Sequence, residues 1–231
     1  MLSIIIPAYN AAAVITDTIS RINDFFGGDA EIIVVNDGSD DATGEILSGR
    51  DDFLDLRVIN FAENRGKGAA VKAGVLTAGG EYIAFTDADL PYGLEPLKEM
   101  QNILQGGAVD IIVGSRAHAG AYAVASNGPL RQLTSFFWRV CIDGLTGEIT
   151  DTQCGIKIFR VDAARQIFRE LATDGFAFDV EILAAARRYG FKISAFPVAQ
   201  VRPSRYSTVR VITDGVQMAK DLIKIRRRYQ L

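Results

Sequence analysis

Short apolar, β-branched runs separated by helical periodicity constrain this chain more than any other feature. Residues 3–6, 31–35, 56–61, 82–86 and 110–113 read as strands. Helical patterns at about 12–26, 41–49, 67–78 and 95–105 lie between them. Parallel strands need crossover connections of this length. The β-α-β-α order therefore predicts an α/β fold, a mainly parallel sheet with helices on both faces. The near-continuous apolar character of the strands agrees with burial on both sides.

The second half continues without a linker. Residues 129–144, 162–171, 178–189 and 208–229 read as helices, and residues 155–159 and 191–196 as strands. The 231 residues, 48% of them apolar, suit one domain with a substantial core. No apolar run approaches the ~18–20 residues that span a bilayer. The start, Met1 to Pro7, lacks a basic segment and a cleavage site, and is expected to be a first strand rather than a signal peptide. A cytosolic protein, or one on the cytosolic face of a membrane, is expected. Its two cysteines, Cys141 and Cys154, are then reduced. With His118 as the only histidine, zinc is not expected.

In parallel α/β sheets, ligands bind beyond the C-terminal strand ends. Here those ends read Pro7-Ala8-Tyr9-Asn10, Asn36-Asp37-Gly38, Asp87-Ala88-Asp89 and Gly114-Ser115-Arg116. If Asp87-Ala88-Asp89 is extended, its two carboxylates point the same way, about 6.6–7 Å apart. Such a pair suits a hard divalent cation, Mg²⁺ or Mn²⁺, shared with substrate phosphates. Asp37 reads either as a turn residue or, with Ser39 or Asp40 capping the next helix, as an acceptor for a base or ribose. Asn64-Arg65-Gly66-Lys67-Gly68 opens a helix after a strand without the spacing of a Walker A loop. It reads equally as a tight turn and as an anion site at a helix N-terminus.

These segments, with Ile4-Ile5-Ile6 before Pro7 and Val34-Val35 before Asn36, occur in an order and spacing that resembles the family 2 glycosyltransferases of GT-A fold. Gly114-Ser115-Arg116-Ala117-His118, Asp151-Thr152-Gln153-Cys154-Gly155-Ile156-Lys157 and Phe176-Ala177-Phe178-Asp179-Val180-Glu181 look like its polyprenyl-phosphate branch, above all the dolichyl-phosphate β-glucosyltransferases. The resemblance covers about residues 2–210. It implies an inverting, metal-dependent transfer of a hexose, glucose from UDP-glucose, onto a polyprenyl phosphate. A GDP-mannose-dependent mannosyl transfer, and transfer to the hydroxyl of a glycan or soluble acceptor, are the alternatives.

The resemblance also implies roles. Pro7, Tyr9, Val35 and Asp37 would hold the nucleoside, and Lys67 and Lys157 would assist with the donor. Asp87, Ala88 and Asp89 would hold diphosphate, sugar and metal. Arg116, Arg131, Ser135, Arg202 and Ser207 would bind the acceptor phosphate. Asp89, Arg116, Arg131 and Asp179 would carry the chemistry, with Asp179 or Glu181 the base if the acceptor were a hydroxyl. Residues 1–116 would be the nucleotide-sugar half and 117–207 the acceptor half. Ala11, Ala12, Asn36, Pro91 and the Arg205-Tyr206-Ser207-Thr208 segment depart from the family pattern.

Two helical patterns fit a lipid acceptor. Within residues 129–144, Arg131, Ser135, Trp138 and Ile142 share one face, a phosphate-binding end followed by an apolar one. Leu130, Leu133, Phe137, Val140 and Cys141 lie opposite. The last 30 residues carry eight basic groups, Arg202, Arg205, Arg210, Lys220, Lys224, Arg226, Arg227 and Arg228, against Asp214 and Asp221. The whole chain has a net charge of −3. A terminal helix with an apolar arc beside this cationic arc reads as a peripheral membrane anchor or as a helix packed on the domain. A nucleic-acid partner is not expected.

Overall fold

The structure, a computed structural model, describes residues 1–49, 55–116, 149, 151–201 and 211–230. The expectations for His118, Arg131, Ser135, Cys141, Arg202 and Ser207, and for a helix at 129–144, lie outside the described residues.

Among the described residues, seven strands form one sheet: β1 (Leu2–Ala8), β2 (Ala30–Asn36), β3 (Leu56–Asn60), β4 (Tyr82–Phe85), β5 (Ile111–Ser115), β6 (Lys157–Arg160) and β7 (Ile193–Pro197). Their order is β3-β2-β1-β4-β6-β5-β7. All pairings are parallel except those of β6, which runs antiparallel between β4 and β5. The C-terminal ends of the other six strands and the N-terminal end of β6 therefore meet at one edge.

The helices are α1 (Ile15–Phe26), α2 (Thr43–Ser48), α3 (Lys67–Thr77), α4 (Glu95–Gln105), α5 (Val161–Glu170), α6 (Phe178–Arg188) and α7 (Val211–Tyr229). Alternate residues of each strand feed two cores. Ile4, Ile6, Ile32, Val34, Ala84 and Ile158 pack with Ile15, Ile19 and Ile22 of α1 and Leu97 and Met100 of α4. Ile5, Ile33, Val35, Ile83, Phe85 and Phe159 pack with α3, α5 and α6 on the other face. The predicted sheet with helices on both faces is thus observed, and burial on both sides explains the near-continuous apolar strands.

Of the two readings of the terminal helix's apolar arc, packing on the domain is the one observed in its described part. Leu222, Ile225 and Tyr229 are buried in the second core, with Met218 packed against it. This i, i+4, i+7, i+11 stripe lies on α6. In the described part of the arc, the side chains that would have entered a membrane are spent on the domain, and Ile223 stands out exposed. Lys220, Lys224, Arg226, Arg227 and Arg228 face solvent. Among the described residues, no helix is long and apolar enough to cross a membrane.

Candidate active site

At the end of β2, the Asp37 N–H donates to the Ala8 carbonyl (2.8 Å), carrying the β1–β2 ladder one residue into the loop. The Asp37 carboxylate is buried and accepts from the backbone N–H groups of Arg65 (2.7 Å) and Gly66 (2.9 Å). It is therefore engaged by the neighbouring loop, where the sequence offers it either as a turn residue or as an acceptor for a base or ribose. Asp41, not Ser39 or Asp40, supports the start of α2, its Oδ1 accepting the Thr43 N–H at 2.9 Å. Burial works against its charge, but hydrogen bonds from Thr43 and Ala12 outweigh this and hold its carboxyl below the usual range. Asn10, in the left-handed region at φ 52, accepts the Asp40 N–H at 2.9 Å, and the Tyr9 hydroxyl donates to Asp40 at 3.2 Å.

The start of α3 differs from an open anion site. Gly66 has φ 100, and a Cβ there would come within 2.6 Å of the Asp174 carbonyl oxygen. That oxygen accepts the N–H groups of Gly68 (2.7 Å) and Ala69 (3.2 Å). With the Gly66 N–H on Asp37, three of the four N-terminal donors of the helix are thus satisfied inside the protein. The glycines serve close packing against residues 173–175. What the helix offers the site is the side chain of Lys67.

Lys67 Nζ lies 2.5 Å from Asp87 Oδ1. Burial disfavours the ammonium, yet Asp87 and the more distant Asp179 raise its pKa above the ordinary lysine value. Strand β4 stops at Phe85, and residues 87–90 form a turn closed by Leu90 N–H to Asp87 O (3.0 Å). Asp87-Ala88-Asp89 is thus a turn rather than the extended segment its sequence suggested. Leu90 takes the left-handed region at φ 46, which costs a residue other than glycine of order 1 kcal/mol. Burial of the Leu90 side chain and a hydrogen bond from Thr18 Oγ1 to the Ala88 carbonyl (2.5 Å) hold this turn.

The antiparallel register pairs Phe85 with Lys157, and its continuation sets Gly155 opposite Asp87. A Cβ on Gly155 would collide with the Asp87 carboxylate. Beneath this contact Lys157 is fully buried. Its Nζ donates to Asp179 Oδ1 (2.5 Å) and the Cys154 carbonyl (2.8 Å), and sits 5.3 Å from the Phe85 ring centre. Burial pushes the Asp179 carboxyl up, opposed by Lys157 and Lys67.

Arg116, at the end of β5, is half exposed. Its Nε and Nη2 donate to the two oxygens of Asp151 at 2.8 and 2.7 Å, and its backbone N–H adds a third bond at 2.8 Å. These bonds raise the guanidinium pKa. Asp151 is pushed up by burial but brought below its usual range by the bonds from Arg116. Burial raises the pKa values of both Tyr92 and Cys154.

Of the residues singled out in the sequence, Pro7, Tyr9, Asp37, Lys67, Asp87, Ala88, Asp89, Arg116 and Lys157 stand at this one edge. Val35 is fully buried in the core and forms floor rather than wall. Glu181 turns away from the edge: it accepts the N–H groups of Ala172 (3.1 Å) and Thr173 (2.7 Å) and the Tyr229 hydroxyl (3.1 Å). The Asp151 clamp, the Asp174 carbonyl and the role of Gly155 had no sequence signal beyond the presence of Asp151 and Gly155 in one quoted motif. Among the described residues, no three His, Cys, Asp or Glu side chains form a metal cage. Two carboxylates on one partly open turn suit a hard cation that takes its other oxygens from phosphate and water, and an ammonium already rests on one of them.

Residues 3–168 match the family model for glycosyl transferase family 2. A dolichyl-phosphate beta-glucosyltransferase of Dictyostelium discoideum is 32% identical over 246 residues, covering 100% of this chain and 75% of the relative. That of Saccharomyces cerevisiae is 34% identical over 253 residues, with the same coverage. Among solved structures, glucosyl-3-phosphoglycerate synthase from Mycobacterium tuberculosis, in complex with Mn²⁺, UDP and glucosyl-3-phosphoglycerate, superposes with a TM-score of 0.69. At 18% identity over 97% of this chain and 79% of that one, it shares the fold. The chain belongs to glycosyl transferase family 2 and has its GT-A fold.

Proposed function

We propose that this protein transfers glucose from UDP-glucose to the phosphate of a polyprenyl lipid, with inversion at the anomeric carbon. The full-length similarity to dolichyl-phosphate beta-glucosyltransferases supports the substrates. One structural observation favours a phosphate over a hydroxyl acceptor. Both carboxylates that could have served as base are buried and bonded, Asp179 to Lys157 and Glu181 to residues 172, 173 and 229. A hydroxyl needs a base near its proton. A phosphomonoester, with a second pKa of ~6, arrives already ionised.

Residues 1–116 then form the donor half and residues 117–207 the acceptor half. Tyr9 and Asp37 line the nucleoside end, and Lys67 meets the diphosphate. Asp87 and Asp89 would hold Mg²⁺ or Mn²⁺, which when bound neutralises charge on the departing diphosphate. Arg116 keeps its outer edge for the acceptor phosphate while Asp151 fixes its inner edge, a fork suited to phosphate oxygens. An acceptor oxygen attacks the anomeric carbon as the bond to the diphosphate breaks, and its electron pair leaves with UDP. The exposed basic face of α7 supports a peripheral position on an anionic membrane surface, where the acceptor resides.

The test is incubation of the protein with radiolabelled UDP-glucose, a short-chain polyprenyl phosphate and Mn²⁺ or Mg²⁺. The expected result is one labelled lipid-linked glucosyl phosphate for each UDP released. Labelling from GDP-mannose alone, or of a glycan hydroxyl in place of the lipid, overturns the assignment.

A further inference from the structure

We infer that Lys67 is a resident counter-ion for Asp87, which it holds in the ligand-free protein and releases to a divalent cation only when a nucleoside diphosphate arrives with it. The inference rests on the reading that Asp87 receives the diphosphate end of a donor.

The carboxylate of Asp87 is bounded on both sides. Lys67 Nζ sits 2.5 Å from Oδ1, while Oδ2 faces Gly155 so closely that a Cβ has no room. The group is a third exposed and Lys67 a fifth, so ligands reach the pair from solvent. Behind it lies the fully buried Lys157–Asp179 pair. Two ammoniums thus stand against Asp87 and Asp179, with Asp89 a third carboxylate on the same turn. A bare dication approaching Asp87 would meet the Lys67 charge at contact distance, where repulsion is strong in a partly desolvated site. An anionic diphosphate removes the obstacle by giving the ammonium a new partner.

The fold provides for that movement. The backbone of α3 at Lys67 is pinned, because the N–H groups of Gly68 and Ala69 donate to Asp174 O at 2.7 and 3.2 Å. The four-carbon lysine stem turns on its own bonds. Nζ can leave Asp87 for a phosphate oxygen without a shift of the helix. Cation and nucleotide binding are then coupled, and by linkage each strengthens the other equally.

The experiment measures Mn²⁺ binding by electron paramagnetic resonance, with and without UDP, and UDP binding by calorimetry in the presence of Mn²⁺. Wild type, Lys67→Met, Lys67→Arg and Lys67→Met combined with Asp87→Ala are compared. Unchanged melting temperatures establish that the variants are folded. Wild type is expected to bind Mn²⁺ weakly alone and about tenfold more tightly with UDP. Lys67→Met is expected to bind Mn²⁺ about tenfold more tightly than wild type without UDP, and to bind UDP more weakly. Lys67→Arg should keep the wild-type dependence on nucleotide, and Asp87→Ala added to Lys67→Met should abolish the tighter nucleotide-free Mn²⁺ binding. If Lys67→Met binds Mn²⁺ alone no better than wild type, or if wild type binds Mn²⁺ equally with and without UDP, the inference fails and the donor assignment stands. If wild type binds no UDP with Mn²⁺ present, both fail.

Discussion

Asp151 holds Arg116 from three directions, accepting Nε, Nη2 and the residue's own backbone N–H at 2.7–2.8 Å. The guanidinium is thereby aimed before any ligand binds, and preorganised donors are the effective ones in group transfer. Arg116→Ala is expected to raise the apparent KM for polyprenyl phosphate about tenfold to a hundredfold, with donor affinity little changed. Asp151→Asn should show a smaller defect of the same kind. The pair also gives a pH signature. The Asp151 carboxyl is depressed in the fold, so its stabilisation is present above the unfolded value of 3.8 and is lost as pH falls through the lower folded value. Melting of wild type and Asp151→Asn, followed from about pH 6 to about pH 3, should differ most at the upper end, with the gap narrowing toward the lower. A gap that widens on acidification contradicts the pairing.

Asp89→Ala should lower kcat/KM by at least about a hundredfold, because the group that steadies charge on the departing diphosphate is removed. Asp87→Ala should weaken donor binding and slow turnover, since it also unseats Lys67. Both residues lie on a partly exposed turn, and thermal melting should register little change. Wild-type turnover by Asp89→Ala in metal-replete buffer refutes this role.

Much of the fold was legible because β1, β2, β4 and β5 are mostly apolar and buried on both faces and each ends in a polar segment. Residues 82–86 and 155–159 were both read as strands, and both exist within a residue or two. Their antiparallel pairing was not legible, because strand order depends on contacts between segments some 70 residues apart. That pairing decides the site, since it sets Gly155 and Lys157 beside Asp87. Periodicity likewise found α7 but not its partner: an apolar stripe of Leu222, Ile225 and Tyr229 suits a bilayer and a protein core equally. The glycines of Asn64-Arg65-Gly66-Lys67-Gly68 carried the ambiguity of all helix-opening glycines, and the Asp174 carbonyl resolved it toward packing.

Gly155→Ala tests the contact at the heart of the site. The new methyl group has to displace the Asp87 carboxylate, the end of a partly exposed side chain, so its effect falls on the position of that carboxylate rather than on the fold. Donor affinity is expected to fall about tenfold or more, with the fold retained in far-ultraviolet circular dichroism. Normal UDP binding by Gly155→Ala would mean that Asp87 takes no part in holding the donor.

The basic face of α7 predicts salt-sensitive binding to anionic vesicles, each group near the surface contributing about 1 kcal/mol. Truncating the helix would strip Leu222, Ile225 and Tyr229 from the core, so charge reversal of surface groups is the cleaner probe. Arg226→Glu, Arg227→Glu and Arg228→Glu combined should abolish sedimentation with vesicles at low salt and leave the melting temperature near that of wild type. Equal sedimentation of the two proteins would remove α7 from the membrane-binding surface.

Glu181 joins the loop at Ala172 and Thr173 to Tyr229 of α7, 48 residues further along the chain. Its buried carboxylate accepts the N–H groups of Ala172 and Thr173 and the hydroxyl of Tyr229. Burial and the neighbouring Glu181 carboxylate in turn push the Tyr229 phenol above its ordinary value. The next residue along, Asp174, caps α3 and so governs where Lys67 begins. Glu181→Gln offers one acceptor oxygen where two served, and sets an amide N–H against donors. Leaving buried donors unpaired costs about 1–3 kcal/mol, and Tyr229→Phe, which removes one donor cleanly, should cost about 1 kcal/mol. Chemical denaturation of the two variants should show that ranking. Because the loop carries the α3 cap, Glu181→Gln should also weaken UDP binding in the presence of Mn²⁺, whereas Tyr229→Phe should not. Destabilisation by Glu181→Gln with unchanged UDP affinity would confine Glu181 to stability and separate it from the donor site.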